Sequence, residues 1–202
     1  MNSSTKSKLK NIVLKILGIY LFVLGIVAYA NVFIEGIPEI GLWFCYPALI
    51  LLGIGLFFFK PNLILSQVAI LTIPLIIWNI DFYSILFTEN SLFGTSDFFF
   101  QLEGFISQFV SAQHLYSFLL GFVGLWLIKK KPDSKSWKIA FVEIIVLFIL
   151  SLTLTPTESN INCVFESCVP FISLGVPWYQ FCWVLVFGGV VFGIDWLVKR
   201  VY

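Results

Sequence analysis

The sequence predicts an all-α polytopic membrane bundle of six transmembrane helices with both termini cytoplasmic, and three observations predict it. Of 202 residues, 59% are apolar and only 11% are charged, against roughly 25% charged in a soluble domain. The apolar residues fall in long runs with few or no charges, each near the roughly 20 residues that a spanning helix needs. All 12 Lys and Arg residues fall in four groups, at the two ends of the chain and around alternate connections between those runs. With 23 Phe, 7 Trp and a mean hydropathy of +0.99, a water-soluble globule would expose far too much apolar surface. This excludes a cytosolic enzyme, a disulfide-stapled secreted module and a disordered chain. A net charge of +1 offers no broad basic footprint, so no nucleic-acid partner is expected.

The six runs are Ile12–Phe33, Ile40–Phe59, Leu63–Ile80, Phe105–Ile128, Trp137–Leu154 and Val176–Val198. Lipid cannot satisfy a bare backbone, so each is expected as a helix. Lys60-Pro61-Asn62 separates the second and third runs, because proline cannot continue the preceding helix. Lys129-Lys130-Lys131-Pro132-Asp133 separates the fourth and fifth. Residues 1–11 are expected as a short basic cytoplasmic tail, and residues 12–202 as one domain without internal repeats. The stretch from Lys6 to Ala28-Tyr29-Ala30 has the alternative reading of a cleaved secretory signal. Its apolar run continues through Val32-Phe33-Ile34, which is long for one.

Charge sets the expected sidedness. Lys6, Lys8, Lys10 and Lys15, then Lys60, then Lys129, Lys130, Lys131, Lys135 and Lys138, then Lys199 and Arg200 all fall on one side of a six-pass chain. Glu35, Glu39, Glu89, Asp97, Glu103, Glu158 and Glu166 fall on the other, with no Lys or Arg among them. The positive-inside rule makes the first side cytoplasmic. In the last outer loop Cys163 and Cys168 lie five apart, close enough for a local disulfide in an oxidising compartment. Cys45 and Cys182 read as packing residues. One His and no CxxC spacing argue against structural zinc, and no cofactor is implied.

Polar side chains within the spans are the main functional signal, because facing lipid costs them several kcal/mol. They cluster in the outer half: Asn79 and Asp81, then Asp97, then Ser107, Ser111 and His114, then Asn160 and Asn162. On one unbroken helix Ser107, Ser111 and His114, spaced i, i+4 and i+7, would share a face opposite Phe109, Leu115 and Leu119. His114, the sole His, would lie roughly 13 Å below the outer end at 1.5 Å per residue, with Asp81 near enough to orient it. Each of these groups also has a purely structural use in helix–helix hydrogen bonding. Glu143 and Asp195 read as carboxylates near the cytoplasmic ends, with Asp195 paired to Lys199 at i,i+4.

In order along the chain, Trp78-Asn79-Ile80-Asp81-Phe82, Gly94-Thr95-Ser96-Asp97-Phe98-Phe99-Phe100, Ser111-Ala112-Gln113-His114-Leu115 and Asn160-Ile161-Asn162-Cys163-Val164-Phe165 resemble an uncharacterised family of bacterial multi-pass integral membrane proteins. Its pattern runs W-N-x-D-F, G-x-x-D-Y-M-F, S-L-F-H-L and N-I-N-W-V-F-G. This chain departs from it at Ala112-Gln113, Cys163 and Glu166. The resemblance implies a bacterial plasma-membrane location and singles out Asn79, Asp81, Asp97, His114, Asn160 and Asn162. It implies no activity. A fold-level analogy to small six-helix membrane hydrolases of the androgen-induced type would cast Thr72 and His114 as a catalytic pair.

Three functions follow as expectations. The first is a non-enzymatic protein that binds a membrane lipid, a protein partner or a second copy through an outer-leaflet pocket around His114. The second is an intramembrane lipid hydrolase or acyltransferase, with His114 as general base, Asp81 or Asp97 orienting it and Ser111 or Ser107 as nucleophile. The third is a small transporter with His114 and Asp81 as proton relay. Asp81, Asp97 and His114 also have the residue types of a divalent-cation site, although nothing in their spacing demands one.

Overall fold

A computed structural model describes residues 3–168 and 175–201. Among them the regular structure is entirely helical. The long helices are α1 (Ser3–Ile34), α2 (Cys45–Phe57), α3 (Pro61–Thr88), α6 (Ser117–Ile128), α7 (Lys135–Leu154) and α8 (Trp178–Val201). Two short helices, α4 (Asp97–Gln101) and α5 (Phe105–Ser111), precede α6. Four helices are long and apolar enough to cross a membrane, and the bent pair Phe105–Leu115 and Ser117–Ile128 makes a fifth if it counts as one span.

Three boundaries differ from the sequence expectation. Of the basic tail expected over residues 1–11, positions 1 and 2 lie outside the described residues, and from Ser3 onward the chain already belongs to α1. The run Ile40–Phe59 divides into a 3-10 turn, Pro38–Leu42, and the 13-residue α2. At 1.5 Å per residue α2 is about 20 Å long, short of the roughly 30 Å hydrocarbon layer. α3 runs past Ile80 to Thr88, so Asp81 sits within a helix rather than at its end.

α3 is the axis of the bundle. Ile64, Leu65, Ser66, Gln67, Val68, Ala69, Ile70 and Leu71 are all buried in succession, as in a helix enclosed on every side. Leu14, Leu21, Leu24 and Ala28 of α1 recur at helical spacing and pack on Leu49, Leu52 and Leu56 of α2 and on Ile64 and Val68 of α3. On the other flank Ala140, Ile144 and Leu147 of α7 and Trp183 and Val191 of α8 meet Ala69 and Ile70. The outward faces stay apolar, with Ile12, Ile16 and Val23 of α1, Val142 and Val146 of α7, and Leu185 and Phe192 of α8 all exposed. Such faces suit acyl chains rather than water.

α1 and α2 touch backbone to backbone. A Cβ on Gly53 would lie 2.6 Å from the Phe22 nitrogen and 2.7 Å from the Gly18 carbonyl oxygen. A Cβ on Gly18 would lie 2.7 Å from the Phe57 nitrogen. Small residues let helices approach this closely where no hydrophobic force drives them together in lipid.

Contacts also gather the basic connections at one end. Asn62 Nδ2 donates to Asp133 Oδ1 at 2.8 Å, and the Asp133 backbone N–H returns a bond to Asn62 Oδ1 at 2.8 Å. The Lys135 backbone N–H holds Asp133 below its ordinary pKa, and the Asn62 amide adds to this. Lys15 Nζ lies 5.7 Å from the Phe57 ring centroid, which brings the first part of α1 to the end of α2. Asp195 accepts from Ser136 Oγ and pairs with Lys199 at 2.5 Å, as the i,i+4 spacing predicts.

Candidate functional site

Asp81 is fully buried, and its carboxylate organises the loop that follows α3. The helix ends at Glu89 in a left-handed turn, and residues 91–96 then fold back over it. Oδ1 accepts from Ser91 Oγ at 2.9 Å and from the backbone N–H groups of Leu92 and Phe93 at 2.8 and 2.7 Å. Oδ2 accepts from Thr95 Oγ1 at 3.2 Å, from the Ser96 N–H at 2.8 Å and from Ser96 Oγ at 3.0 Å. Six donors saturate the lone pairs of the carboxylate, and none of them comes from His114. Asp97 opens α4 directly after this cage.

His114 is placed by a break in the helix that the sequence reads as continuous. α5 stops at Ser111, Ala112–Leu115 form a 3-10 turn, and α6 restarts at Ser117 with a bend of 51°. Two bonds fix the break. His114 Nδ1 donates to the Ser111 carbonyl at 2.7 Å, and Asn79 Nδ2 donates to the His114 carbonyl at 2.9 Å as well as to Leu75 O at 2.6 Å. The imidazole stacks on Trp78 with ring centroids 4.9 Å apart and meets Phe98 edge-on at 6.2 Å. The shared face expected for Ser107, Ser111 and His114 is therefore interrupted. Ser107 Oγ instead donates to Glu35 Oε1 at 2.5 Å and accepts from Asn31 at 3.2 Å, which ties α5 to the end of α1. No hydrogen bond joins the Ser111 hydroxyl to the imidazole among the described residues. Thr72 donates to its own helix at Val68 O, 2.6 Å away. The space lined by Ser111, Gln113 and His114 measures about 10 Å³, the scale of one water rather than of a lipid chain.

Asn160 and Asn162 hold the last outer loop. Asn162 Oδ1 accepts from the Phe44 N–H at 2.9 Å, and its Nδ2 donates to Leu42 O at 2.8 Å and Ser151 Oγ at 3.1 Å. Its own carbonyl accepts from Trp183 Nε1 at 3.0 Å. One buried residue thus joins the start of α2, the end of α7 and α8. Asn160 Oδ1 accepts from the Phe165 and Glu166 N–H groups at 3.0 and 3.2 Å, and its Nδ2 donates to Glu166 O at 3.0 Å. Both asparagines have positive φ, 38° and 55°, a region that Asn tolerates better than most residues. Cys163 and Cys168 form the expected disulfide within this loop, with Cα atoms 5.5 Å apart.

Replacing Asn162 with alanine will orphan the buried Phe44 N–H and strain the left-handed backbone, lowering stability by about 3 kcal/mol. Thermal unfolding in detergent reads this, and Asn162→Gly, which tolerates positive φ, will recover part of the loss.

The comparisons add no relative. No known family model matches the chain, and no curated protein or solved structure is similar to it. The geometry alone therefore bears on chemistry. Among the described residues no group of three His, Cys, Asp or Glu side chains is placed to hold a metal ion, so Asp81, Asp97 and His114 do not converge as a cation site would require. The catalytic set of His114, Asp81 and Ser111 is likewise not assembled, because Asp81 faces its loop and His114 Nδ1 faces a carbonyl. Asn31, Tyr20, Tyr116 and Gln67 carry no charge and no motif, yet all four make bonds between helices. Gln67 and Asn31 left a signal, each an amide inside an apolar run.

Proposed function

We propose that the chain is a six-pass protein of the plasma membrane, with both termini cytoplasmic, that holds a lipid acyl chain in its outer half. Its outer cap is structural rather than catalytic. The observation that carries this reading is a groove of about 270 Å³ between α1 and α5, lined by Ile19, Tyr20, Val23, Leu24, Val27 and Phe109. The lining is apolar apart from the Tyr20 hydroxyl, and both ends are polar. At the inner end the Tyr20 and Tyr116 hydroxyls share a hydrogen bond at 2.5 Å. Beyond the outer end lies the Asn31–Glu35–Ser107 triangle. Tyr20 and Asn31 are separated by about 16 Å along α1 at 1.5 Å per residue. An acyl chain matches this surface in chemistry, and the triangle offers polar groups near its headgroup end.

The six-pass reading draws on the pairing of Asn62 with Asp133, which sets two basic connections side by side. α2 together with the turn at Pro38–Leu42 makes the second passage, shielded by α1 and α3. The positive-inside rule then supplies the orientation. The resemblance to bacterial multi-pass proteins favours a bacterial plasma membrane.

Photo-crosslinking tests the lipid reading. In membranes carrying a diazirine-labelled phospholipid, adducts will concentrate on residues 19–27 and 105–111 relative to the open face of α8 at Leu185 and Phe192. Val23→Trp, which fills the groove, will remove that enrichment. Equal labelling of the groove and of α8 would show that α1 and α5 meet lipid only as any outward face does.

A further inference from the structure

In the first quarter of α3, facing the middle of α7, lies a polar group that the loop cage of Asp81 and the Asn160–Asn162 loop do not use. Gln67 of α3 is completely buried, and Glu143 of α7 is half-buried beside it. Gln67 Nε2 donates to Glu143 Oε2 at 2.7 Å and to Ser66 Oγ at 3.1 Å, which spends both amide protons. Ser66 spends its single proton on Leu63 O at 2.7 Å. Two buried acceptors then remain on facing side chains with no donor, Gln67 Oε1 and Glu143 Oε1. The one ion pair among the described residues is Asp195 with Lys199, so no cation offsets Glu143.

An amide and a carboxylic acid are complementary in shape. A proton on Glu143 Oε1 lets that oxygen donate to Gln67 Oε1 while Gln67 Nε2 donates to Glu143 Oε2, closing a ring of two hydrogen bonds. One proton satisfies both orphan acceptors and removes a charge from between two packed helices. An ionised Glu143 leaves both oxygens unpaired at the cost that attaches to buried polar groups.

We propose that Glu143 and Gln67 form an intramembrane proton-binding site, in which Glu143 is held as a neutral acid bonded to the Gln67 amide. Binding adds one proton from water to the carboxylate, and release returns it. The titratable groups on elements packed around the site include Asp195, Lys199, Arg200, Tyr179 and Cys182 of α8, Lys135 and Lys138 of α7 itself, Glu39 within the Pro38–Leu42 turn, Tyr29 of α1, and Cys45 and Tyr46 of α2. None of them hydrogen-bonds to Glu143. Asp195 is engaged by Ser136 and Lys199, and Tyr179 by Cys163 O.

Infrared titration of the full chain in detergent tests this. The wild-type protein at neutral pH will show the carbonyl stretch of a protonated carboxyl that is absent from Glu143→Gln, and the band will fade in alkaline buffer. Stability follows the same proton. A carboxyl held neutral by the fold contributes stability that is lost as pH rises through its folded-state pKa. Wild-type thermal stability will therefore fall toward alkaline pH more steeply than that of Glu143→Gln, whose amide keeps both ring bonds without a proton. Should the variant misfold, the wild-type band and its titration read the same site. An ionised Glu143 at neutral pH overturns the proposal, and so does displacement of the band by Na⁺, which would make the ligand a metal cation.

Discussion

Asp81→Ala will unfold the outer cap and lower the stability of the whole protein by about 4 kcal/mol. The size follows from how many donors share this carboxylate. The N–H groups of Leu92, Phe93 and Ser96 all point at it, and the hydroxyls of Ser91, Thr95 and Ser96 complete the cage. Alanine leaves three backbone N–H groups to find water in a loop whose Ser96 is itself fully buried. Asp81→Asn separates charge from shape. It keeps an oxygen for one side of the cage but turns an NH₂ toward donors on the other, so it will recover less than half of the loss. The measurement is thermal unfolding in detergent, paired with limited proteolysis between Thr88 and Asp97. If alanine leaves both unchanged, the loop is held by its aromatic contacts instead.

Gly53→Val will separate α1 from α2 and cost about 4 kcal/mol, at the upper end for overpacking. Most added methyl groups push aside a flexible side chain. At Gly53 the neighbours are the Phe22 nitrogen and Cα and the Gly18 carbonyl oxygen, 2.6 to 2.9 Å from the new Cβ, and backbone cannot swing away. Gly124→Ala is a useful contrast, because its Cβ would meet only Leu56 side-chain carbons, chiefly the Cδ2 methyl at 2.1 Å. A leucine end can rotate, so that variant will lose less. A cysteine pair placed across α1 and α2 reports the separation directly through its crosslinking yield.

The parts of this fold that were legible in the sequence are those set by the bilayer. α1, α7 and α8 follow from apolar length alone, because a lipid-facing helix needs no special partner. The parts that were not legible depend on distant atoms. Nothing in Ala112–Tyr116 resembles a helix breaker, with neither Gly nor Pro present. The break there is made by the His114 ring and by an amide 35 positions away at Asn79. α2 begins only at Cys45 because Asn162, 118 positions from Phe44, takes the Phe44 N–H. Asp81 reads as a charge that should close a span, and only the returning loop explains a carboxylate inside α3. Of the six residues singled out as special, Asn79, Asp81, Asp97, His114, Asn160 and Asn162, four are special in another sense: Asn79, Asp81, Asn160 and Asn162. Their polar atoms are spent on the chain's own backbone and hydroxyl groups, a use that spacing cannot distinguish from ligand binding.

The reciprocal bond between Asn62 and Asp133 links positions 71 residues apart. During synthesis it cannot exist until the second basic connection has emerged, so α1 to α6 are all made before this fastener is available. Gln67 waits longer still for Glu143, and Phe44 longest of all for Asn162. The early half of the chain thus carries polar groups that only the later half can satisfy, and the native arrangement of the first helices is completed from the C-terminal side.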